Sequence, residues 1–122
     1  MMNCDEFNEY CKSLLVTTYV VQWGGSHVWK VGGKVFAIGR WNNGKYPGVT
    51  FKASEIAYEC LKNEPGLRPA PYLASRGMKW IQHYCETGFS DDDLKSYLAE
   101  SHRIVSLGLT KKKQRELGLN GQ

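Results

Sequence analysis

The sequence predicts a single α+β domain, with an antiparallel sheet that carries its helices on one face in a two-layer sandwich. The first observation behind this fold class is that amphipathic helical stripes stand near both ends of the chain. The second is that the middle is rich in β-branched and aromatic residues, in short runs separated by glycine and asparagine pairs. The third is size, since 122 residues with 42% apolar content suit one globular domain.

The first predicted element is a helix over residues 3–15. Asn3 can cap it, acidic residues occupy its first turn, and apolar residues recur at helical spacing from Phe7 to Leu14. The period then changes to that of a strand over residues 19–23, which Gly24-Gly25 ends.

Three further strands are predicted in quick succession. Residues 28–31 and 34–38 are joined by Gly32-Gly33, and this two-residue link favours a hairpin because both positions tolerate positive φ. A second turn is expected over residues 42–45, and the next strand over residues 48–52.

A short helix is expected after these strands, with Ser54 as its cap and Pro65-Gly66 as its stop. Its inner face is expected to carry Ile56, Ala57, Cys60 and Leu61.

The rest of the chain is expected to hold an extended segment, a strand and a long helix. Two prolines lie in the segment 67–72, which therefore cannot be a central strand. The last strand is predicted over residues 78–84. The long helix is predicted over residues 91–107, with a capping box formed by Ser90 and Asp93.

Positive charge is concentrated in the β-rich middle of the chain. The formal net charge is +4, from 16 basic and 12 acidic residues. Residues 24–53 contain no acidic residue, and neither do residues 65–80, yet both stretches carry several lysines and arginines. This asymmetry is typical of proteins that bind polyanions.

The basic residues of the middle are candidate contacts for nucleic-acid phosphates, because long cationic side chains on strands and hairpin tips can reach a phosphate backbone. They are Lys30, Lys34, Arg40, Lys45, Lys52, Arg68, Arg76 and Lys79. The simpler alternative is that lysines on strands keep sheet edges soluble without any partner.

We expect the folded domain to cover residues 1–110 and residues 111–122 to form a basic C-terminal tail. The tail could act as an arm that contacts phosphates, or it could be a solvated terminus with no partner. Its candidate contacts are Lys111, Lys112 and Lys113.

Aromatic residues accompany the cations, and an exposed ring can stack on a nucleic-acid base. Trp41 and Tyr46 flank the polar turn, so they are the candidate stacking groups. Tyr72 and Trp80 are instead candidates for the wall of a ligand cleft. The alternative is that these rings fill the core of a small sheet, as tryptophan and tyrosine often do.

No catalytic or metal-binding arrangement is recognisable in the sequence. His27, His83 and His102 lie far apart and match no ligand spacing. The sequence contains neither a glycine-framed nucleophile nor a phosphate-binding glycine loop. We therefore expect a protein that is not an enzyme and that uses neither a cofactor nor a metal.

The N-terminal residues are acidic and no apolar stretch follows them, so we expect no secretion signal and a cytoplasmic protein. No run of eighteen apolar residues exists, and we expect no membrane partner. The four cysteines are then expected to be free thiols, with core positions for Cys11, Cys60 and Cys85.

Several segments carry a resemblance to a known family. The residues VWKVGGKVFA at 28–37, followed by VTFK at 49–52, resemble the paired strands of the MmcQ/YjbR family. The residues EPGLRPAPYL at 64–73 are similar to its proline-rich segment, and Trp80 stands where the family has a tryptophan. The resemblance extends over about residues 14–113.

The resemblance implies a frataxin-like, or CyaY-like, fold and a DNA-binding protein that uses an arrangement called a double wing. Two positions depart from the family pattern. Leu15-Val16 stands where the family often has leucine followed by proline, and His102 stands where it often has tyrosine.

The residues and the resemblance together predict a small non-enzymatic monomer that binds DNA or another nucleic acid. Weak sequence preference is expected, because no base-reading recognition helix is evident. The alternative is a protein-interaction or small-ligand module of unknown partner.

Overall fold

The computed structural model describes residues 2–42, 45–71, 73, 76–85 and 89–119, with the backbone alone for residues 42 and 45–47. The elements in chain order are α1 (Cys4–Ser13), β1 (Thr17–Gln22), β2 (Ser26–Val31), β3 (Lys34–Asn42), β4 (Lys45–Lys52), α2 (Glu55–Leu61), β5 (Leu67–Pro69), β6 (Trp80–His83), α3 (Asp91–Leu107) and α4 (Lys111–Leu117). The predicted α+β class is confirmed.

The strands form one sheet in the order β1-β2-β3-β4-β6-β5, and every neighbouring pair is antiparallel. The predicted β2–β3 hairpin is confirmed, because Val31 pairs with Lys34 across Gly32 and Gly33, whose φ angles are 58° and 82°. The proline-bearing segment forms β5 at the end of the sheet, as its composition predicts. Proline donates no backbone hydrogen bond, and the end position needs fewer of them.

The two long helices begin at the predicted caps. The side chain of Asn3 accepts a hydrogen bond from the backbone of Glu6, whose carboxylate accepts one from the backbone of Asn3. Ser90 and Asp93 form the same reciprocal pair at the start of α3. These contacts satisfy backbone N–H groups that a helix start otherwise leaves unpaired.

The core lies between the sheet and the helices α1 and α3. Its largest fully buried side chains include Phe7, Phe36, Phe51, Ile81, Leu94 and Leu98. Phe7 comes from α1, and Leu94 and Leu98 come from α3, so both helices cover the same face of the sheet.

A β-bulge lets β3 bury two consecutive residues. The pairing shifts from Trp29–Ala37 to Lys30–Val35, which leaves Phe36 as an extra residue on β3. Phe36 and Ala37 are both fully buried in the core. The side chain of Ser101 on α3 donates to the carbonyl oxygen of Phe36 at 2.7 Å, and so fastens the helix to the bulge.

The inner face of α2 differs from the prediction. Tyr58 and Leu61 are its buried residues, whereas Ile56 is 80% exposed and Cys60 is also exposed. The helix contacts β5 and β6 at the end of the sheet, so only one narrow side of it meets the core. Cys85 is exposed as well, and of the three cysteines expected in the core only Cys11 is buried.

The basic C-terminal segment forms the helix α4. Its cap is Thr110, and the side chain of Gln114 donates to the carbonyl oxygen of Leu109 at 2.8 Å. Leu119, just beyond the helix, is buried in the main core. The segment from 111 to 119 therefore packs on the domain, and neither an extended arm nor a free terminus describes it.

Candidate nucleic-acid interface

One row of directly paired residues crosses all six strands on the side away from the helices. The row runs through Val20, Val28, Ile38, Thr50, Gln82 and Arg68. Directly opposite residues of antiparallel strands project to the same face. The adjacent row faces the helices and runs through Tyr19, Trp29, Ala37, Phe51, Ile81 and Pro69. We call these two sides the outer face and the helix face.

Four of the predicted basic residues share the outer face. Arg68 belongs to the row itself, and the other three stand two residues along their strands from members of the row, where side chains return to the same side. These three are Lys30, Arg40 and Lys52. Lys52 stands at the end of β4, where it also lines a cavity that α3 reaches through Val105. None of the six described strands contains an aspartate or a glutamate. The sheet therefore brings the cations of distant segments onto one surface.

The two arginines among these four cations are held in defined positions. The Nε of Arg68 donates to the Oε1 of Gln82 at 2.7 Å, and the group lies 4.7 Å from the ring centre of Tyr84. The Nη1 of Arg40 donates to the carbonyl oxygen of Trp23 at 3.5 Å. Such contacts reduce the freedom that each side chain loses when it binds a phosphate.

The other predicted cations lie elsewhere. Lys34 is exposed at the β2–β3 hairpin, and the ammonium group of Lys79 lies 4.8 Å from the ring centre of Tyr58 on α2. Arg76 is exposed in the segment before β6. The helix α4 lies at the β2–β3 hairpin, where Leu109 and Leu117 flank Gly32. The cations at the start of α4 are exposed. They are Lys111, Lys112 and Lys113.

The predicted stacking group Trp41 lies on the helix face. Its ring centre is 5.4 Å from that of Phe7 and 6.1 Å from that of His27, and the residue is half-buried. Packing against α1 thus separates Trp41 from the outer-face cations. The other predicted contacts near this turn, the side chains of Lys45 and Tyr46, lie outside the described residues, as does Tyr72 of the predicted cleft.

A cavity of about 550 Å³ opens on the outer face. The sheet forms its floor, the β1–β2 turn forms one wall, and the segment after β5 forms the other. Its described lining is Trp23, Ser26, Ile38, Arg40, Gly48, Thr50, Ala70, Pro71, Leu73, Arg76 and Gln82. Two arginines and no acidic residue belong to this described lining, so the cavity is suited to an anion. Trp23 was not among the predicted contacts, although the paired glycines that follow it indicate a tight turn there.

Trp80, the other predicted cleft residue, lies apart from this cavity. It is 5% exposed and lines a second cavity of about 370 Å³ together with Lys34, Lys52 and Val105. Its indole Nε1 is buried and has no hydrogen-bond partner among the described residues. Burial of this kind agrees with the core alternative for Trp80.

A polar cluster joins α1 to β1 and β2, and the sequence did not predict it. The Sγ of Cys4 lies 3.4 Å from the Nε2 of His27, and the hydroxyl of Tyr19 lies 2.7 Å from the Nδ1 of the same ring. The indole N–H of Trp29 donates to the side-chain oxygen of Asn8 at 2.9 Å. Cys4 and Asn8 are four residues apart, which puts them on one side of α1.

The chemistry of this cluster favours a structural role. Burial, with a smaller contribution from the charge of Asp5, raises the pKa of the Cys4 thiol. A cysteine nucleophile instead needs a lowered pKa, which keeps it as a thiolate. Among the described residues, no three histidine, cysteine, aspartate or glutamate side chains gather as they would around a metal ion.

Comparison with known proteins bears on the fold and the family. The YjbR family model matches residues 12–104. A search of the curated proteins found no significant match. Among solved structures, the chain is similar to the Deinococcus radiodurans protein DR2400, whose domain is classed as DUF419. The TM-score is 0.83 at 21% sequence identity, over 98% of this chain and 90% of that one. Within the described residues, no helix has the length and apolar content needed to cross a membrane.

Proposed function

The chain belongs to the YjbR family, and on this premise we propose that it is a small non-enzymatic module that binds DNA through the outer face of its sheet. The observation that carries the proposal is that Lys30, Arg40, Lys52 and Arg68 share this face, in a sheet whose described strands have no acidic residue. Cations spread over a surface in this way can neutralise several phosphates at once.

Two ion pairs are found among the described residues, and neither of these two includes an outer-face cation. Lys62 pairs with Glu59 at 2.7 Å, and Arg103 pairs with Glu100, both on or next to helices. An approaching polyanion meets no aspartate or glutamate on the described strands of this sheet.

Binding is expected to depend on phosphates more than on base sequence. The first turn of the long helix α3 contains Asp92 and Asp93, and negative charge there disfavours insertion of this end into a DNA groove. Side chains that reach only phosphates hold the nucleic acid but carry little sequence information.

Fluorescence anisotropy with labelled duplex and single-stranded DNA at 50 and 200 mM salt tests the proposal. About four phosphate contacts should lower the association constant on the order of a hundredfold between these concentrations. The variant Lys30→Gln/Lys52→Gln should weaken binding strongly. Lys12→Gln/Lys95→Gln removes the same charge from the helices and should weaken it much less. Absence of binding at low salt ends the proposal.

A small-ligand module is the second candidate, and the outer-face cavity favours it. A volume of about 300–1,000 Å³ is usual for ligand pockets. If a small ligand rather than DNA is the partner, the affinity for that ligand should be the same in the variant Lys30→Gln/Lys52→Gln. Neither lysine belongs to the described lining of the cavity.

For either candidate we propose a cytoplasmic monomer. Light scattering coupled to size exclusion should then give a mass close to 13.8 kDa. A doubled mass would point instead to pairing through an exposed strand, and β1 has exposed apolar side chains at Tyr19 and Val21.

A further inference from the structure

Two arginines from different parts of the chain line the outer-face cavity. Arg40 comes from β3 and Arg76 comes from the segment before β6, and both line the cavity. Guanidinium groups bind phosphate oxygens through paired N–H donors. No aspartate or glutamate belongs to the described lining.

The rim of the cavity holds an exposed aromatic ring in a strained turn. Trp23 is 58% exposed, and its φ of 53° is in the left-handed region, which a bulky residue rarely adopts. Gly24 and Gly25 complete the turn with φ of 74° and 106°. Arg40 fastens this turn through the carbonyl oxygen of Trp23. The left-handed backbone of Trp23 therefore costs conformational free energy, although the ring of this residue lies at the surface beside Arg40.

The floor of the cavity carries uncharged polar side chains and a glycine. The Oε1 of Gln82 accepts a hydrogen bond from Arg68, and the amide Nε2 is the donor end of the same group. Gly48 lies directly beneath this side chain, since a Cβ at position 48 would stand 2.9 Å from the Nε2 of Gln82. The hydroxyl groups of Ser26 and Thr50 also line the cavity.

From these features we propose that the cavity binds one unstacked nucleotide. Its phosphate contacts Arg40 and Arg76, and its base stacks on Trp23. The inference rests on the proposed function and deepens it, because a nucleotide within a single strand can leave its neighbours and enter the cavity, whereas a paired base in a duplex cannot do so without disrupting the pair. The protein therefore prefers single-stranded to duplex DNA.

The test compares two labelled strands of equal length and charge by anisotropy at 50 mM salt, an octamer of thymidylate and an octamer of abasic sites. The thymidylate strand should bind about tenfold more tightly, which corresponds to the loss of one stacked base. The variant Trp23→Asn should remove this difference, since asparagine tolerates the left-handed backbone and should keep the turn intact. Ile56→Asn, which alters an exposed apolar residue on α2, should leave the difference in place.

The result separates the inference from the function on which it rests. If neither strand nor a duplex binds, the proposed function fails and the inference fails with it. If both strands bind equally, or if Trp23→Asn keeps the preference, the nucleotide site is refuted while phosphate binding stands. Competition by thymidine monophosphate distinguishes the source: displacement of the octamer at millimolar concentration assigns the site to free nucleotides as well, and no displacement assigns it to strands.

Discussion

The Nε2 of His102 lies 2.7 Å from the carbonyl oxygen of Leu15. These positions are 87 residues apart in sequence. The Nε2–H of His102 donates to this carbonyl oxygen and so links the segment that follows α1 to α3. The ring also packs edge-on against Phe36, at 5.2 Å between ring centres.

The backbone conformation of the neighbouring Val16 explains why the segment after α1 benefits from the hydrogen bond with His102. Its φ is 55°, which proline cannot adopt because its ring fixes φ near about −65°. The chain thus turns here through a left-handed residue, and the hydrogen bond from His102 holds the preceding carbonyl in place. The local sequence at neither position suggests that the two meet.

We expect His102→Phe to lower the free energy of unfolding by about 1 kcal/mol, because phenylalanine keeps the contact with Phe36 but cannot donate to Leu15. Urea unfolding of the two proteins measures the difference. Leu15→Ala is the matched control, since its side chain is half-exposed and its carbonyl remains. Equal stability of His102→Phe and the wild type would show that the contact contributes nothing.

Ser101→Ala should be more costly, at about 1–3 kcal/mol. The hydroxyl of Ser101 donates to the carbonyl oxygen of Phe36 and accepts from the backbone N–H of Lys52 at 2.9 Å, so its removal leaves two backbone groups of the sheet unpaired. Thermal or urea unfolding gives the value. Ser106→Ala is the control, because that hydroxyl bonds a carbonyl within its own helix, at His102. A larger loss for Ser106→Ala than for Ser101→Ala would contradict the assignment.

Gly48→Ala should destabilise the protein by more than Gly33→Ala. Both positions have positive φ, 140° and 82°, and a side chain there is strained. Only at Gly48 would the new Cβ also collide with Gln82, whereas nothing lies within 4 Å at Gly33. The two unfolding curves should therefore separate, with Gly33→Ala closer to the wild type. If nucleotide binding occurs in the cavity, Gly48→Ala should weaken it too, since Gly48 lines the floor.

The stability of the protein should decrease as the pH falls below about 6.5. Burial lowers the pKa of His83, against smaller opposite effects from the backbone near Cys85 and the charge of Asp91. The unfolded chain then binds a proton at a higher pH than the folded one. The stabilisation is fully present above the ordinary histidine pKa and is lost as the pH falls towards the lower folded value. Urea unfolding between pH 8 and pH 5 should show a shallower pH dependence for His83→Gln, and an unchanged slope would refute this origin.

Much of the secondary structure could be predicted because its causes are local. The caps at Asn3 and Ser90 and the paired glycines at the β2–β3 hairpin act within a few residues, and the structure has each of them where the sequence places it. The inner face of α2 could not be predicted in this way. In a helix of seven residues the apolar side chains do not single out one face. Contact with the end of the sheet decides which side of α2 is buried.

The fold class, the helix caps, the main turn and the excess of cations in the middle of the chain all follow from local patterns of residues. Tertiary structure alone decided that Arg68 shares a face with Lys30, that Trp41 packs towards α1, and that Trp23 and Arg76 flank one cavity. The physical reason is register. A shift of one residue in any strand pairing moves every side chain of that strand to the opposite face. Strand order and the bulge at Phe36 fix that register through contacts between distant segments, which local patterns do not record.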